Sequence, residues 1–396
     1  MNKQALTGVN VLDFGQALAG PMAMKHLADH GACVVRVESA VRGQRGLHNV
    51  TSLSFAARTS TSKYGMALNL KHPRAREVVE RLIHWADVVN ENFVPGKMKN
   101  LGLDYKNLCK IKPDIIMASC SIFGQTGSSS RQPGLDGTAT AMSGRMYLTG
   151  WPDRGGLTSS SVPYGDAVHP LFIASAIIAA LDYRRRTGKG QHIDAAMLEV
   201  CAQQIAPSFL ECQSNEHMPK RAGNRIPNAS PHGVFPCAGH DRWCAITVFT
   251  EDEWTAFCHV IGDPEWTKQP EYATLQSRKK NEDKLEKLVS EWTQGHSAYE
   301  IMHLMQEAGV PAGVVQNAAD TVDHDPQLKE DEVLKPLKHQ DVGIFGHPTP
   351  PYRLSKTVAQ VRTFPTFGEH TEYVCTHFLG MSDSEYKELS EAEVFK

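Results

Sequence analysis

The stretch VPYGDAVHPLF, at residues Val162 to Phe172, opens the longest apolar run of the chain and fixes much of the predicted fold. Its pattern predicts a helix that continues to Arg186, with three arginines in the last turn and Gly188 just beyond as the C-cap. Pro170 is expected in the first turn, where a missing backbone N–H costs little.

Asp166 stands at the head of this predicted helix. A carboxylate at a helix N-terminus is favoured as the anion, because that end carries partial positive charge. Gly165, directly before it, lets another backbone or a ligand approach closely. Asp166 is therefore either an ordinary N-cap, the commoner role for an Asp at such a position, or an ionised nucleophile facing a cleft.

Composition narrows the class of protein. The 396 residues are enough for two domains, and 41% of them are hydrophobic, which is typical of a globular protein with a proper core. Lys and Arg number 41 against 44 Asp and Glu, a net charge of −3. That balance gives no sign of a nucleic-acid-binding surface.

Cysteine usage and hydropathy indicate a soluble, cytoplasmic protein. The nine cysteines stand singly, without a C-x-x-C pair, which is typical of reduced thiols and not of disulfides or zinc sites. No H-E-x-x-H motif is present, so no metal site is predicted. The run Val9–Phe14 is too short for a signal peptide. The run Ala167–Leu181 contains His169 and Pro170 and falls short of the ~20 residues of a membrane span.

The first 120 residues alternate short apolar strands with helices. Strands are predicted at Val9–Phe14, Cys33–Val37, Asp87–Asn90 and Asp114–Ser119, and helices at Met22–His30 and Arg74–Trp85. Continuous apolar runs favour strands that are covered on both faces. The order of these elements therefore predicts an α/β fold with a doubly wound parallel sheet.

The turn after the first strand reads GQALAGP, at Gly15 to Pro21. It lacks the G-x-G-x-x-G fingerprint, so Glu38 at the end of the second strand is weak support for NAD binding. The turn nevertheless lies at the carboxyl end of a strand, where open α/β sheets bind ligands.

Basic residues cluster in and after the second strand. They are Arg36, Arg42 and Arg45, followed by Lys63 and Lys71. They form either a solvated rim or a set of phosphate contacts, since Arg and Lys both suit that anion.

The remainder of the chain predicts two further parts. Leu135-Asp136 starts a helix, and a second helix after that of Asp166 is expected from about Ile193 to Phe209; the two long helices read as largely buried. A Pro-, Gly- and Asn-rich stretch then leads into a smaller α/β domain. The predicted domains are 1–215 (large), 216–318 (small) and 319–396, a C-terminal segment that returns to the large domain.

Seven segments, in this order, resemble the class III CoA-transferases of the formyl-CoA transferase and carnitine CoA-transferase type, a family that includes α-methylacyl-CoA racemase. The segments are LTGVNVLDFGQALAGP (Leu6–Pro21), LADHGACVVRVE (Leu27–Glu38), ADVVNENFVPG (Ala86–Gly96), LGLDY (Leu101–Tyr105), YGD (Tyr164–Asp166), TGKGQHIDAAMLE (Thr187–Glu199) and FGEHT (Phe367–Thr371).

The resemblance implies a Rossmann-like large domain that binds coenzyme A and is completed by the C-terminus, plus the small domain, in a dimer of interlocked chains. It makes Asp166 the nucleophile. The implied CoA contacts are Gln16, Ala17, Leu18, Leu68, Lys71, Asn92 and Phe93, and the basic cluster adds Arg42. The Arg that usually precedes the LGL motif is Asn100 here, which puts one phosphate contact in doubt.

The implied reaction moves CoA from an acyl-CoA donor to a carboxylic acid through a mixed anhydride and an aspartyl–CoA thioester. Asp136 matches a carboxylate position of some transferases, although a structural Asp at a helix start is the commoner role. TGWPDRG, at Thr149 to Gly155, resembles the branch that acts on aromatic or dicarboxylic acids such as benzylsuccinate, with succinyl-CoA as donor.

Two alternatives remain. A racemase needs two acid/base groups, and its usual His is replaced by Leu135, which cannot move a proton. The chain could also be the non-catalytic subunit of a heterodimer of similar chains. The presence of Asp166 favours a catalytic subunit instead, and the partner chain can be identical or merely similar.

Overall fold

Six parallel strands form the central sheet of the chain, in a computed structural model that describes residues 3–39, 50–154 and 163–396. The strands are β1 Asn10–Asp13, β2 Cys33–Glu38, β3 Tyr64–Ala67, β4 Val88–Glu91, β5 Ile116–Ser121 and β6 His192–Ala196. Their order is β3-β2-β1-β4-β5-β6, so the direction of winding reverses between β1 and β4. This is the doubly wound α/β fold predicted from the sequence.

Helices cover both faces of this sheet. The helices from residue 19 to residue 215 are α1 Ala19–Asp29, α2 Val50–Thr59, α3 Ala75–Trp85, α4 Lys97–Asn100, α5 Tyr105–Ile111, α6 Asp136–Met142, α7 Arg145–Leu148, α8 Tyr164–Thr187, α9 Met197–Gln203 and α10 Ala206–Asn215, and α1, α3, α5 and α8 pack on the sheet. Neighbouring residues of one strand serve opposite faces: Leu12 packs with α3 and α5, whereas Val11 packs with α1 and α8. Burial on both faces explains why the strands read as continuous apolar runs.

The chain divides into two compact units. Residues 1–146, 159–217 and 330–396 form the larger, and residues 147–158 and 218–329 the smaller. The smaller unit holds an antiparallel sheet in the order β7-β8-β9, with strands β7 His232–Pro236, β8 Trp243–Thr247 and β9 Ala312–Val314. Its helices include α11 Glu251–Val260, α12 Leu275–Lys280, α13 Glu282–Thr293 and α14 Ala298–Glu307. The domain limits drawn from the sequence, after 215 and after 318, stay a prediction.

The C-terminal segment adds short elements to the larger unit. After α15 Pro326–Glu330, which falls mostly in the smaller unit, they are the hairpin β10 Leu334–His339 and β11 Gly343–Pro348, and then α16 Thr371–Tyr373 and α17 Asp383–Glu391. The segment also covers the free edge of β3. The N–H of Gly65 donates to His370 Nδ1 (3.3 Å) and the N–H of Ala67 to Thr371 Oγ1 (3.0 Å).

Helix α8 ends as predicted but begins earlier. Gly188 caps it in the left-handed region, at φ 70°, and donates to the carbonyl of Arg184 (2.7 Å). The helix starts at Tyr164, so the placement of Pro170 in the first turn is wrong. Pro170 lies in the second turn, where its missing N–H would otherwise bond to the carbonyl of Asp166, four residues earlier.

The prediction for the next helix is also wrong in part. Residues His192–Ala196 form β6, which pairs in parallel with β5, and the helical stretch that follows is broken into α9 and α10. A short apolar run does not distinguish a buried strand from a helix by its pattern alone, and pairing with β5 decides the outcome here.

Burial of the two long helices is lower than expected. In the single chain α8 exposes Leu171, Phe172 and Ile178, and every residue of α10 is at least partly exposed. By length and composition, α8 is the one helix of the described residues that could span a membrane. A core helix of a soluble protein passes the same test.

Candidate active site

Asp166 lies in the first turn of α8, as its third residue. Pro163 is the N-cap, so the interpretation of Asp166 as the N-cap is wrong. The carboxylate still lies at the positive end of a helix of 24 residues. This position favours its ionised form.

A second carboxylate lies directly beside it. Asp136 is the first residue of α6, and its Oδ1 accepts a hydrogen bond from the main-chain N–H of Asp166 at 3.0 Å. The starts of α6 and α8 are thereby joined through one side chain. Residues that are 30 positions apart in sequence form one acidic pair.

Gly165 makes this close approach possible. A Cβ atom at Gly165 would lie 2.8 Å from Asp136 Oδ1 and 2.7 Å from Met197 Sδ, both shorter than real contacts allow. A larger residue would therefore displace the side chains of Asp136 and Met197. The absence of a side chain at this position leaves room for the Asp136 carboxylate beside the backbone of Asp166.

The surroundings of Asp166 raise its pKa to about 6. Burial raises the pKa first, and the charge of Asp136 raises it further. The guanidinium of Arg58 and the N–H of Ala19, which hydrogen-bonds the carboxylate, act in the opposite direction. Asp166 is thus partly desolvated and yet mostly ionised above pH 7, a combination that suits a carboxylate nucleophile.

Ala19 connects Asp166 to the turn after β1. It is the first residue of α1, and the preceding turn runs from Gly15 to Leu18. Gln16 in this turn forms a reciprocal pair with Asn92: its N–H donates to Asn92 Oδ1 (2.6 Å), and Asn92 Nδ2 donates to its carbonyl (2.7 Å). The pair bridges the ends of β1 and β4, where the winding reverses. Open α/β sheets bind their ligands at such a switch point.

Buried polar side chains at the end of β1 hold the turn from Gly15 to Leu18 in place. Asp13 Oδ2 pairs with Lys63 Nζ at 2.8 Å, and Asp13 Oδ1 accepts from Asn90 Nδ2 at 2.8 Å. A Cβ at Gly15 would lie 2.7 Å from Asp13 Oδ1. Burial lowers the pKa of Lys63 to about 8, against the opposing effect of Asp13. The network holds the turn close to the sheet.

Lys63 therefore cannot serve as a phosphate contact. It is 3% exposed and also donates to the carbonyl of Pro21, so this prediction is wrong. Arg36 donates to the hydroxyl of Ser60 and lies 3.6 Å from Glu38 Oε1. Arg42 and Arg45 lie outside the described residues.

The other predicted CoA contacts differ in accessibility. Ala17 is exposed and adopts φ 55°, a left-handed conformation that costs a non-glycine residue on the order of 1–2 kcal/mol. Leu18 is half-buried as the N-cap of α1, and Lys71 is exposed. Leu68 is fully buried, and its N–H donates to the carbonyl of Glu38.

Asn92 and Phe93 follow β4 and are half-buried. The N–H of Phe93 donates to Glu91 Oε2 at 2.9 Å. Burial raises the pKa of Glu91, whose carboxyl group fixes the backbone at the end of β4. Asn92 and Phe93 thus lie at the end of β4, across the switch point from Gln16, which follows β1.

Sequence reasoning missed Arg58 and Ala19. Arg58 stands in the last turn of α2, and nothing in its local pattern FAARTS separates it from a solvated arginine. Ala19 acts through its backbone, which leaves no signal in residue type. The helix predicted from the sequence began at Met22, so nothing in the pattern pointed to a free N–H group at Ala19, where α1 begins.

Leu135 lies next to the acidic pair as the N-cap of α6, with 77% of its surface exposed. The residue beside the acidic pair is thus exposed and apolar. Across residues 3–39, 50–154 and 163–396, His, Cys, Asp and Glu side chains form no group that could hold a metal ion.

Comparison with known proteins gives a consistent result over the whole chain. The family model for CoA-transferase family III matches residues 6–371. The chain is 31% identical to the succinyl-CoA–D-citramalate CoA-transferase of Chloroflexus aurantiacus, with 98% of each chain covered. It is also 31% identical to the human succinyl-CoA:glutarate CoA-transferase, with 99% of this chain and 90% of that one covered.

A solved structure shows the same fold. The crystal structure of a CAIB/BAIF family protein from Brucella suis is 30% identical and superimposes with a TM-score of 0.87. It covers 96% of this chain and 100% of the Brucella protein. The chain therefore belongs to CoA-transferase family III and is a CoA-transferase enzyme.

Proposed function

We propose that this enzyme moves CoA from succinyl-CoA to a second carboxylic acid through a covalent intermediate on Asp166. The observation that carries the proposal is the setting of Asp166. It is desolvated, has a pKa of about 6, and lies beside Asp136 and the N–H of Ala19 at the start of α1. A positioned, partly desolvated carboxylate can attack a thioester that it would not attack in water.

The donor half-reaction consists of two substitutions at carbonyl carbon. The Asp166 carboxylate attacks the thioester of the acyl-CoA, the C–S bond breaks, and a mixed anhydride and CoA thiolate form. The thiolate then attacks the aspartyl carbonyl, and the donor acid leaves as its carboxylate. The enzyme retains CoA as an aspartyl thioester.

The acceptor half-reaction runs these steps in reverse with a different acid. The acceptor carboxylate attacks the aspartyl thioester and releases CoA thiolate, which then attacks the acceptor carbonyl of the new anhydride. Asp166 leaves as a free carboxylate. Backbone N–H groups such as that of Ala19 are suited to stabilise the oxyanions of these steps.

Asp136 has a supporting role in this proposal. Its hydrogen bond from the Asp166 N–H holds the first turn of α8. Its charge disfavours a second anion nearby, which promotes departure of the donor carboxylate once the thioester has formed.

The CoA moiety is proposed to bind along the switch point. Gln16, Ala17 and Leu18 lie on one side of it, and Asn92 and Phe93 on the other. The strained conformation of Ala17 supports this placement, because backbone strain concentrates at functional sites. Lys71, Leu68 and Arg42 complete the proposed contacts.

Both named relatives use succinyl-CoA and transfer CoA to a dicarboxylic acid, which supports a dicarboxylate pair for this enzyme. The TGWPDRG stretch favours an acceptor with an aromatic group, such as benzylsuccinate. The exposed Leu135 next to the acidic pair is compatible with an apolar acceptor.

The assembly is proposed to be an interlocked dimer in the cytoplasm, of identical or similar chains, with CoA binding in the large domain. Its support is the apolar surface that α8 and α10 expose on a single chain, which includes Leu171, Phe172, Phe209 and Leu210. Such surface calls for a partner in a soluble protein.

The test is to trap the intermediate. With succinyl-CoA and no acceptor, the intact mass of the protein should rise by one CoA minus water, and hydroxylamine should release the CoA. Asp166→Ala should abolish the adduct and lower turnover by about four or more orders of magnitude. Asp182→Asn, an exposed change in the last turns of the same helix, serves as the control and should form the adduct normally. Near-parental turnover by Asp166→Ala would overturn the proposal.

A further inference from the structure

Lys63 is a buried lysine with a fixed backbone. It stands between α2 and β3, directly before the first residue of β3. The preceding residue, Ser62, adopts φ 63° and is held from the C-terminal segment, since its N–H donates to the carbonyl of Arg362 (3.1 Å). The N–H of Arg362 donates back to Ser62 Oγ (3.0 Å). The base of the Lys63 side chain is therefore held in one place.

The ammonium group of Lys63 joins two parts of the switch point. It donates to the carbonyl of Pro21 at 2.8 Å and to Asp13 Oδ2 at 2.8 Å. Pro21 is the third residue of α1, and Asp13 is the last residue of β1. The other oxygen of the carboxylate, Asp13 Oδ1, accepts from the N–H of Gly15 at 2.9 Å. One side chain thus ties the first turn of α1 to the strand that precedes it.

The first turn of α1 lies beside the start of α8. Ala19 packs in one apolar cluster with Ala139 of α6, and Tyr164, the first residue of α8, packs against the same cluster. The N–H of Ala19 hydrogen-bonds the carboxylate of Asp166. Leu18, the N-cap of α1, has no side chain that could bond the first N–H groups of the helix. These N–H groups are therefore placed to act on a reacting group at Asp166.

The ion pair of Lys63 and Asp13 is a costly way to stabilise a fold. Both side chains are fully buried, and the loss of hydration of two such charges commonly cancels their attraction. An apolar pair of similar size would hold the fold equally well, but it would not hold the carbonyl of Pro21 at a defined position. The contacts of Lys63 therefore indicate a role in the geometry of α1 and not in stability alone.

We propose that Lys63 is a positioning residue for CoA transfer: its hydrogen bond to the carbonyl of Pro21 holds the first turn of α1 where its N–H groups meet the oxyanion formed at Asp166. Lys63 itself touches no substrate. Donors aimed at an oxyanion lose most of their effect when they are displaced by a fraction of a hydrogen-bond length. The inference deepens the proposed function and rests on the reaction taking place at Asp166.

A pair of variants isolates the contact between Lys63 and Pro21. Lys63→Met alone would leave the Asp13 carboxylate buried without its cation, which destabilises the fold. Asp13→Asn is therefore the reference, because it keeps an acceptor for the N–H of Gly15 and leaves Lys63 able to donate to Pro21. The double variant Asp13→Asn/Lys63→Met then removes the remaining contact. Lys110→Met, a change at an exposed lysine of α5, is the control and should behave as the parent.

The measurement is CoA transfer from succinyl-CoA to isotope-labelled succinate, followed by mass spectrometry, which gives kcat and KM without a second acid. Calorimetric titration with CoA counts the intact sites, so that kcat is expressed per site. The double variant should show a kcat about ten- to a hundredfold below that of Asp13→Asn, with KM within about threefold. KM is preserved because the reciprocal bonds between Gln16 and Asn92 still hold the turn after β1.

Three results would overturn the inference. The first is a kcat of the double variant equal to that of Asp13→Asn. The second is a loss that falls on KM and CoA affinity, which would assign Lys63 to the binding of CoA. The third is a kcat of Asp13→Asn as low as that of the double variant, which would assign the effect to Asp13. Urea denaturation should show that the double variant is at least as stable as Asp13→Asn, since no unpaired charge is left.

The exchange assay also separates this inference from the proposed mechanism, because it does not require the adduct to be seen. If the parent exchanges CoA without an adduct on Asp166 and the double variant loses kcat, the mechanism fails and the role of Lys63 stands. If the adduct forms and the two variants transfer CoA equally well, the mechanism stands and the role of Lys63 is overturned.

Discussion

The main-chain N–H of Asp166 donates to Oδ1 of Asp136 at 3.0 Å, so the backbone of one helix start is held by the side chain of another. The two carboxylates are coupled through this bond as well as through charge. A change at Asp136 therefore alters both the position of Asp166 and its affinity for a proton.

The first prediction concerns the pH dependence of the donor half-reaction. Adduct formation requires ionised Asp166, so its rate should fall as the pH drops through about 6. In Asp136→Asn the neighbouring charge is removed, the pKa of Asp166 falls, and the midpoint should move to lower pH. Single-turnover kinetics from pH 4.5 to 8.5 measure both midpoints, and a midpoint in the variant at or above the parental value would contradict this account.

The second prediction concerns stability. Because the pKa of Asp166 rises from 3.8 to about 6 on folding, the native state binds this proton more tightly than the unfolded state. Its contribution to the free energy of unfolding is favourable at low pH and is lost as the pH rises from about 4 to about 6. Asp166→Asn should therefore be more stable than the parent at pH 8, by about 1–3 kcal/mol after allowance for partial exposure.

Urea denaturation of parent and variant, at pH 4 and at pH 8, tests this sign. The difference in the free energy of unfolding should be largest at pH 8 and should shrink toward pH 4. Asp182→Asn supplies the control, since the pKa of that exposed carboxyl is lowered by Arg185 and Arg186 and its replacement should not stabilise the protein. An equal advantage of Asp166→Asn at both pH values would show that the charge is not its origin.

The third prediction concerns Gly165. Gly165→Ala would place a Cβ 2.7 Å from Met197 Sδ and 2.8 Å from Asp136 Oδ1, so the side chains of Met197 and Asp136 must shift. A loss of about 1–3 kcal/mol of stability is expected, together with slower adduct formation. Gly137→Ala in α6 is the matched control, because its Cβ would meet nothing within 4 Å. That change should be neutral or slightly stabilising, by about 0.5–1 kcal/mol.

The fourth prediction concerns proton exchange. The family resemblance aligns Leu135 with the position where a racemase has an imidazole, so we expect exchange of the α-proton of a 2-methylacyl-CoA to be negligible. Incubation in D₂O followed by mass spectrometry measures it. Rapid enzyme-dependent incorporation of deuterium would show that transfer is not the sole activity.

The sequence predicted the parts of the fold that depend on local pattern. The apolar runs of β1, β2, β4 and β5 and the Gly188 cap carry their signal within a few residues. Strand β3 was missed because its sequence, YGMA, contains a glycine and no β-branched residue, and β6 was taken for a helix because only its pairing with β5 makes it a strand. Register and pairing are non-local, so they are not encoded in periodicity.

The residues of the candidate site also fall into two groups, those that the sequence could identify and those that it could not. Asp166, Asp136 and Gly165 could be singled out by residue type, position and family resemblance. Lys63 could not be recognised as a buried ion-pair partner, because a lysine before a short strand looks the same whether it meets Asp13 or solvent. Arg58 and the Ala19 N–H reach Asp166 only through the packing of the helices that carry them.

The C-terminal segment covers the free edge of β3, so this edge stays uncovered until late in translation. His370 and Thr371 lie 305 and 304 residues after the strand residues that they hydrogen-bond. At roughly 5–20 residues per second, the ribosome needs on the order of 15–60 s to make that intervening chain. For that whole interval β3 is an open template for other nascent strands, so the yield of folded protein should depend on how well the cell shields that edge during translation.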